Sequence, residues 1–208
     1  MAPVLMHRSG IVGLAIGSLW LIAISEAFAI LSLLLIGTPV ATAVLLGVAA
    51  VGLGLIAVSV GVIRAALGLP KSPASSTDEG RRIRRQFATA VGGEIVALAV
   101  VNTVCLATGR QVFIVPFDLL IVGVHFLPLA RIFRVPRYYV LGAFFCLVPL
   151  VTVMAIPSTA RVGQGLAWLV VPSLACALWA SLTGAIGLRE AWQAVRTARA
   201  IAPTPPAA

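Results

Sequence analysis

Residues 39–68 read PVATAVLLGVAAVGLGLIAVSVGVIRAALG, and this stretch decides the fold class. It is thirty residues long and contains one charged side chain, Arg64. A helix needs about 20 apolar residues to cross the hydrocarbon core of a bilayer, and an apolar stretch of that length with few charges is typical of a membrane-spanning helix. We therefore predict that this stretch crosses a membrane.

Five further apolar stretches occur along the chain, and turn residues or charges separate them. The composition agrees, because 61% of the residues are hydrophobic, 10% are charged and the mean hydropathy is +1.10, outside the range of soluble domains. We predict an all-α fold, a bundle of six transmembrane helices that forms one domain over residues 1–208. The spans are expected at about residues 11–36, 39–68, 86–108, 112–134, 138–156 and 164–188.

The basic residues predict the orientation of these helices. If the amino terminus is cytoplasmic, thirteen Lys and Arg residues lie on the cytoplasmic side and two, Arg110 and Arg161, lie outside. Cytoplasmic loops carry the excess of Lys and Arg in most membrane proteins. We therefore predict a multi-pass protein of the plasma (inner) membrane with both termini in the cytoplasm. Since topology accounts for the basic charge, no nucleic acid partner is expected.

The first span has an alternative interpretation as a signal peptide. Arg8, the apolar run and the small residues of Ala27-Phe28-Ala29 imitate its three regions. The apolar run, however, continues through Ile36 and is longer than the hydrophobic region of a signal peptide. This length favours an uncleaved transmembrane helix.

The longest connection, residues 70–86, is predicted to be a cytoplasmic loop. Ser76 and Glu79 have the spacing of a capping box, so the third helix is expected to begin near Thr77. Basic side chains near a membrane surface attract anionic headgroups by about 1 kcal/mol each, so the lipid bilayer and its anionic headgroups are the expected partners. The alternative is a topology signal with no specific partner. The predicted headgroup contacts are Arg81, Arg82, Arg84 and Arg85.

The carboxyl-terminal residues differ in composition from the rest of the chain. Residues 200–208 contain three prolines and no long apolar run. Such a segment buries too little apolar surface to fold, and we predict that it is disordered.

Polar residues inside the predicted spans are the candidates for function. A charge at the bilayer centre costs about 2.5–3.5 kcal/mol, and such residues normally face the bundle interior or water. Their positions along the helices predict that they meet near the midplane in one intramembrane site. We expect no basic partner for the acids there. The candidate site residues are Glu26, Glu94, Asn102, Asp118 and His125.

This polar site has three interpretations. In the first, each acid is protonated and hydrogen-bonded to a neighbouring helix, which is a structural role. In the second, the acids line a proton or solute pathway. A metal site from Glu94, Asp118 and His125 lacks a motif such as H-E-x-x-H that would fix the ligand geometry. The sequence also contains no catalytic or cofactor-binding motif, so neither a metal nor a cofactor is expected.

Two spans carry small residues at alternating steps of four and three, which places them on one helix face. Gly, Ala and Ser let helices approach closely where lipid provides no hydrophobic drive for association. We predict helix contacts at Gly54 and Gly184, within a tight bundle or at the face of a homo-oligomer or partner membrane subunit. The second span places Ala43, Gly47, Ala50, Gly54, Ala57 and Gly61 on this face, and the sixth places Ser173, Ala177, Ala180, Gly184, Gly187 and Ala191.

The segment GVHFLPLAR at residues 123–131, continued by FRVPRYY at residues 133–139, resembles the hallmark segment of a family of uncharacterised small six-helix bacterial membrane proteins. That family provides no established activity. The resemblance implies that His125, Pro128, Arg131 and the Tyr138–Tyr139 pair form one unit at the inner end of the fourth helix. Arg131 is expected either to reach the inner headgroups or to form the mouth of a cytoplasmic vestibule that leads to His125.

The function predicted from the sequence is membrane transport of a small solute or ion, with proton coupling as one form of it. The alternative is a non-transporting assembly or regulatory subunit, and an intramembrane enzyme is third. A transporter predicts a wet cavity that reaches the midplane acids. A subunit predicts dry, hydrogen-bonded acids and an exposed face of small residues for a partner.

Overall fold

The computed structural model describes residues 8–69 and 77–201. Residues 70–76 of the predicted loop, including Ser76 of the capping box, and residues 202–208 of the predicted tail lie outside this described part. Within it, the chain has six helices long and apolar enough to cross a membrane, which confirms the predicted all-α bundle of an integral membrane protein. The helices are α1 (Arg8–Ile36), α2 (Pro39–Leu67), α3 (Thr77–Ala107), α4 (Ile114–Phe133), α5 (Arg137–Ala155) and α6 (Ala167–Ile201).

Short structured turns join the helices at the end of the bundle opposite Arg8, where α1 begins. A 3-10 turn, Gln111–Phe113, leads from α3 into α4. A two-stranded antiparallel hairpin, β1 (Arg161–Val162) and β2 (Gly165–Leu166), leads from α5 into α6. Gly163 has a φ of +63° and lies directly against the carbonyl of Ile36, where no larger residue fits. The hairpin is therefore seated on the last residue of α1.

Helices α1 and α6 form the most extensive helix–helix contact of the bundle. Their backbones approach closely at Gly184, where an added Cβ would lie 2.8 Å from Ile22 Cγ1 and 3.1 Å from the Ser18 carbonyl oxygen. The hydroxyl groups of Ser25 and Ser181 are 2.7 Å apart across the same contact. The predicted contact at Gly184 is thus confirmed. All six small residues predicted for the sixth span are buried: Ser173, Ala177, Ala180, Gly184, Gly187 and Ala191.

A second close approach joins α4 to α5. An added Cβ at Gly123 would lie 2.9 Å from the carbonyl oxygen of Gly142, and one at Gly142 would lie 2.7 Å from that of Gly123. Just beside this crossing, the ring of Phe126 packs between Tyr138 and Phe145 at centroid distances of 5.8 Å each. Residues 123–139 therefore belong to a closely packed helical hairpin formed by α4 and α5.

The predicted helix contact at Gly54 is wrong for the single chain. The whole small-residue face of α2 is exposed, and an added Cβ at Gly47, Gly54 or Gly61 would meet no described atom within 4 Å. Helix α2 packs on α1 through its opposite face. On this face Gly52 leaves room for the side chain of Glu26. The buried residues of α2 are Ala41, Gly52, Ser59, Val62 and Ala66.

Candidate functional site: the polar ladder between α3 and α4

Helix α3 lies at the edge of the bundle and packs mainly against α4. Its apolar residues point outward; for example, Ile95 is 60% and Val96 is 63% exposed in the single chain. In a bilayer this surface would meet lipid or another helix. The contacts that hold α3 in place are therefore concentrated on the one face that meets α4.

Three contacts join α3 to α4 at regular steps. The rings of Phe87 and Phe133 pack edge to face with centroids 5.9 Å apart. The next two contacts are polar: Glu94 with His125, and Asn102 with Asp118. Successive contacts are seven or eight residues apart on both helices, about two helical turns, so they lie on one face. We call the two polar contacts the polar ladder.

The first pair of the ladder brings an acid and a base together inside the spans. Glu94 Oε2 lies 3.5 Å from His125 Nδ1, and the side chains are 19% and 9% exposed. The imidazole can donate to the carboxylate when Nδ1 carries a proton, and the pair can share that proton in either direction. The expectation that these acids have no basic partner is therefore wrong for Glu94.

The second pair is a hydrogen bond between an amide and a carboxyl group. Asn102 Nδ2 donates to Asp118 Oδ1 at 2.8 Å and also to the backbone carbonyl of Leu98 at 2.9 Å. Eight residues separate Glu94 from Asn102 on α3, which corresponds to about 12 Å along the helix axis. The two pairs are thus neighbouring contacts in one interface and do not form a single cluster.

Glu26 does not join the ladder, so the prediction of one convergent site is wrong. Its side chain lies between α1 and α2, folded onto Gly52, where an added Cβ would be 2.6 Å from Glu26 Cγ. Glu26 Oε2 is buried and has no hydrogen-bond partner among the described residues. The rotation of α1 turns Glu26 toward α2 and away from α3 and α4.

The pairing within the ladder follows from a signal in the sequence. A short connection makes α3 and α4 antiparallel neighbours, so residues equally distant from the turn lie side by side. Asn102 and Asp118 are each eight residues from Arg110, and Glu94 and His125 are sixteen and fifteen residues from it. Counting outward from the turn would therefore have found both pairs.

The arginines predicted to contact the membrane surface lie at the end of the bundle where α2 ends and α3 begins. Arg131 is exposed in the last turn of α4, six residues and about 9 Å along the axis from His125. A vestibule at Arg131 and headgroup contacts by the arginines of α3 stay predictions. Those exposed arginines are Arg81, Arg82, Arg84 and Arg85.

No metal centre joins these groups in the described part of the chain. No three His, Cys, Asp or Glu side chains of residues 8–69 and 77–201 come together to hold a metal ion. A groove between α2 and α6 is lined by none of the five predicted site residues. The polar residues of α3 and α4 are thus used for contacts with each other.

Comparison with known proteins adds no relative. No protein-family model matches the chain, and neither a curated protein nor a solved structure shows significant similarity to it. The resemblance of residues 123–139 to a bacterial membrane protein family stays a prediction.

Proposed function

We propose that this chain is a non-transporting assembly subunit of a membrane complex. The observation that carries the proposal is that polar residues of α3 and α4 lie against one another: Asn102 donates a hydrogen bond to Asp118, and Glu94 lies 3.5 Å from His125. Polar side chains of this kind hold membrane helices together, contributing about 1–2 kcal/mol per contact in model peptides. In this role the ladder fastens the outermost helix, α3, to the rest of the bundle.

The course of the helices supports the same proposal. Transporter sites are often built where a helix is interrupted near the midplane, so that free backbone groups can bind the substrate. Here α4, α5 and α6 run without a break through Pro128, Pro149 and Pro172. The prolines therefore provide no unwound segment beside the polar ladder.

The outward face of α2 supplies a surface for assembly, and we assign it to a second copy of this chain. Ala recurs every seven residues at 43, 50 and 57, and Gly every seven residues at 47, 54 and 61. Two copies inserted in the same orientation present parallel α2 helices, so the same face meets itself about a two-fold axis. A seven-residue repeat keeps such a face in contact along two supercoiled helices.

The proposed membrane is the plasma (inner) membrane of a bacterium, with both termini in the cytoplasm. Arg64 near the end of α2, Arg131 near the end of α4 and Arg137 at the start of α5 lie at one end of the bundle, where Arg137 also pairs with Glu190 of α6. Arginine concentrated at one end favours that end as the cytoplasmic one.

Cysteine cross-linking in native membranes tests the assembly. In a variant without Cys105, Cys146 and Cys176, Gly54→Cys is compared with Leu53→Cys, the adjacent exposed position at the same depth, rotated by about 100°. We expect a disulfide-linked dimer from the cysteine at 54 and little from the cysteine at 53. Equal cross-linking at both positions, or none at 54, would contradict assembly through this face.

A second candidate, proton-coupled transport of a small solute or ion, is favoured by the Glu94–His125 pair. Chains of Asp, Glu and His in membrane helices mark proton relays in pumps and transporters. The pair contains both an acid and a base within 3.5 Å, and α3 has few neighbours other than α4. Transport requires that this pair change its protonation while the helices shift.

A further inference from the structure

An open apolar groove separates α2 from α6 near the basic end of the bundle. Its volume is about 540 Å³, within the range of about 300–1,000 Å³ typical of small-molecule sites. Val62 and Leu188, which are 1% and 4% exposed, form its floor. The walls are Val58, Gly61 and Ala65 of α2, and Ala185, Arg189 and Trp192 of α6.

Arg189 is the one charged side chain of this groove, and it is exposed. Its neighbour Glu190 is paired with Arg137 of α5, whereas Arg189 has no ion-pair or hydrogen-bond partner within residues 8–69 and 77–201. Arg64, which precedes Ala65 of the groove wall, adds a second exposed guanidinium at this end of α2. The groove thus combines an apolar floor with a positive charge, Arg189, that no acidic side chain of the described residues pairs with.

The chemistry of the groove restricts its occupant. The lined portions, Val58 to Ala65 and Ala185 to Trp192, are eight residues each, and their ends are about 10 Å apart along the bundle axis. Trp192 is 43% exposed at the end where α6 emerges beyond its most apolar part, the position of an interfacial aromatic residue. An occupant must therefore be a slender apolar chain with an anionic group at one end, lying along the membrane normal.

We propose that this groove is a binding site for an anionic phospholipid. One acyl chain lies over Val62 and Leu188, and the headgroup phosphate accepts hydrogen bonds from the guanidinium of Arg189. Guanidinium groups suit phosphate because their donors match two of its oxygen atoms at once. The site is separate from the arginines that begin α3, and it shares only Gly61 with the face of α2 that is proposed for assembly.

Lipid binding to the full-length protein in detergent tests the site directly. Native mass spectrometry would measure the binding of phosphatidylglycerol and of phosphatidylcholine with the same acyl chains. We expect tighter binding of phosphatidylglycerol, and we expect Arg189→Gln to weaken it about fivefold, the effect of one basic side chain at an anionic surface. Ala185→Phe, which fills the trough, should weaken binding of both lipids.

Arg199→Gln is the matched control, since Arg199 lies on α6 but does not line the groove. It should bind phosphatidylglycerol as the unmodified protein does, and Arg189→Lys should retain part of the selectivity if the variants are folded. The proposal is overturned if Arg189→Gln binds both lipids like the unmodified protein, or if Arg199→Gln causes the same loss. The proposal would also be overturned if inorganic phosphate displaced bound phosphatidylglycerol as effectively as free phosphatidylglycerol does, because the acyl chain would then contribute nothing to binding.

Discussion

Individual glycines in this protein have different roles. The role of each depends on which atoms a methyl group would meet at that position. Gly52 forms the socket for the side chain of Glu26, and Gly184 lets α6 reach the backbone of α1 at Ser18. At Gly54 there is open space in the single chain as far as it is described. Glycine thus makes room for a side chain at one position, lets two helix backbones approach at another and lies on an outward face at a third.

Gly52→Ala should destabilise the protein because the new methyl group would overlap Glu26. Overpacking of this kind costs about 1–3 kcal/mol, and the carboxyl group can move aside only by leaving its buried position. Thermal unfolding in detergent should show a lower midpoint. The double variant Gly52→Ala with Glu26→Ala should recover much of the loss, whereas additive losses would show that the two residues are not in contact.

Gly184→Leu and Gly54→Leu should behave differently although both replace a glycine in a small-residue face. At position 184 the larger side chain would push α6 away from Ile22 and Ser18, so the unfolding midpoint should fall clearly. At position 54 the monomer has room, so its midpoint should stay within a degree or two while cross-linking between α2 helices is lost. Equal destabilisation of the monomer by both changes would mean that α2 packs inward through Gly54.

At the level of the helices, the polar ladder is the feature that distinguishes α3 from its neighbours. Helix α3 has one main contact surface, and that surface holds both polar pairs and the contact of Phe87 with Phe133. Apolar packing alone gives a membrane helix little preference for one neighbour over the surrounding lipid. The two pairs therefore supply both the attachment of α3 and its register on α4.

Replacing one partner of the Asn102–Asp118 pair should cost more than replacing both. Asp118→Leu leaves the amide of Asn102 without its acceptor on α4, and Asn102→Leu leaves the carboxyl group without its donor. An unsatisfied buried polar group costs about 1–3 kcal/mol, whereas an apolar pair of similar size can be nearly neutral. Unfolding midpoints of the two single variants and the double variant should show this order. Equal, additive losses would mean that the pair does not form.

The sequence predicted the helices better than the contacts between them. The described part of the chain holds six long apolar helices, as hydropathy predicted, because length and composition alone decide what can cross a bilayer. The neighbours of each helix depend on its rotation, which lipid does not dictate. Small residues on α2 and α6 gave the same signal, yet Gly184 faces α1 and Gly54 faces outward. Glu26 was misplaced for the same reason.

For the molecule as a whole, orientation is the property on which the assembly and the lipid site both depend. The described part of the chain places the turn at Gln111–Phe113 and the hairpin of β1 and β2 at one end, and the arginines of α4 and α5 at the other. A cysteine introduced at Gln111, in a variant without the three native cysteines, should react with an impermeant reagent in intact cells. A cysteine at Val135, in the turn between α4 and α5, should react only after the membrane is opened, and the reverse pattern would invert the proposed topology.

Proton flux separates the two candidate functions because they assign opposite roles to the same pair. If Glu94 and His125 only fasten α3 to α4, liposomes containing the purified protein and an internal pH dye should show no protein-dependent flux across a panel of ions and small solutes. If the pair relays protons, the unmodified protein should carry flux and Glu94→Gln should abolish it, since glutamine keeps the shape and a hydrogen bond but cannot titrate. Glu26→Gln is the matched control, because Glu26 lies on Gly52 between α1 and α2, away from the ladder. We expect no flux in any of the three proteins. Flux that disappears in Glu94→Gln and persists in Glu26→Gln would replace the assembly proposal with transport through the α3–α4 interface.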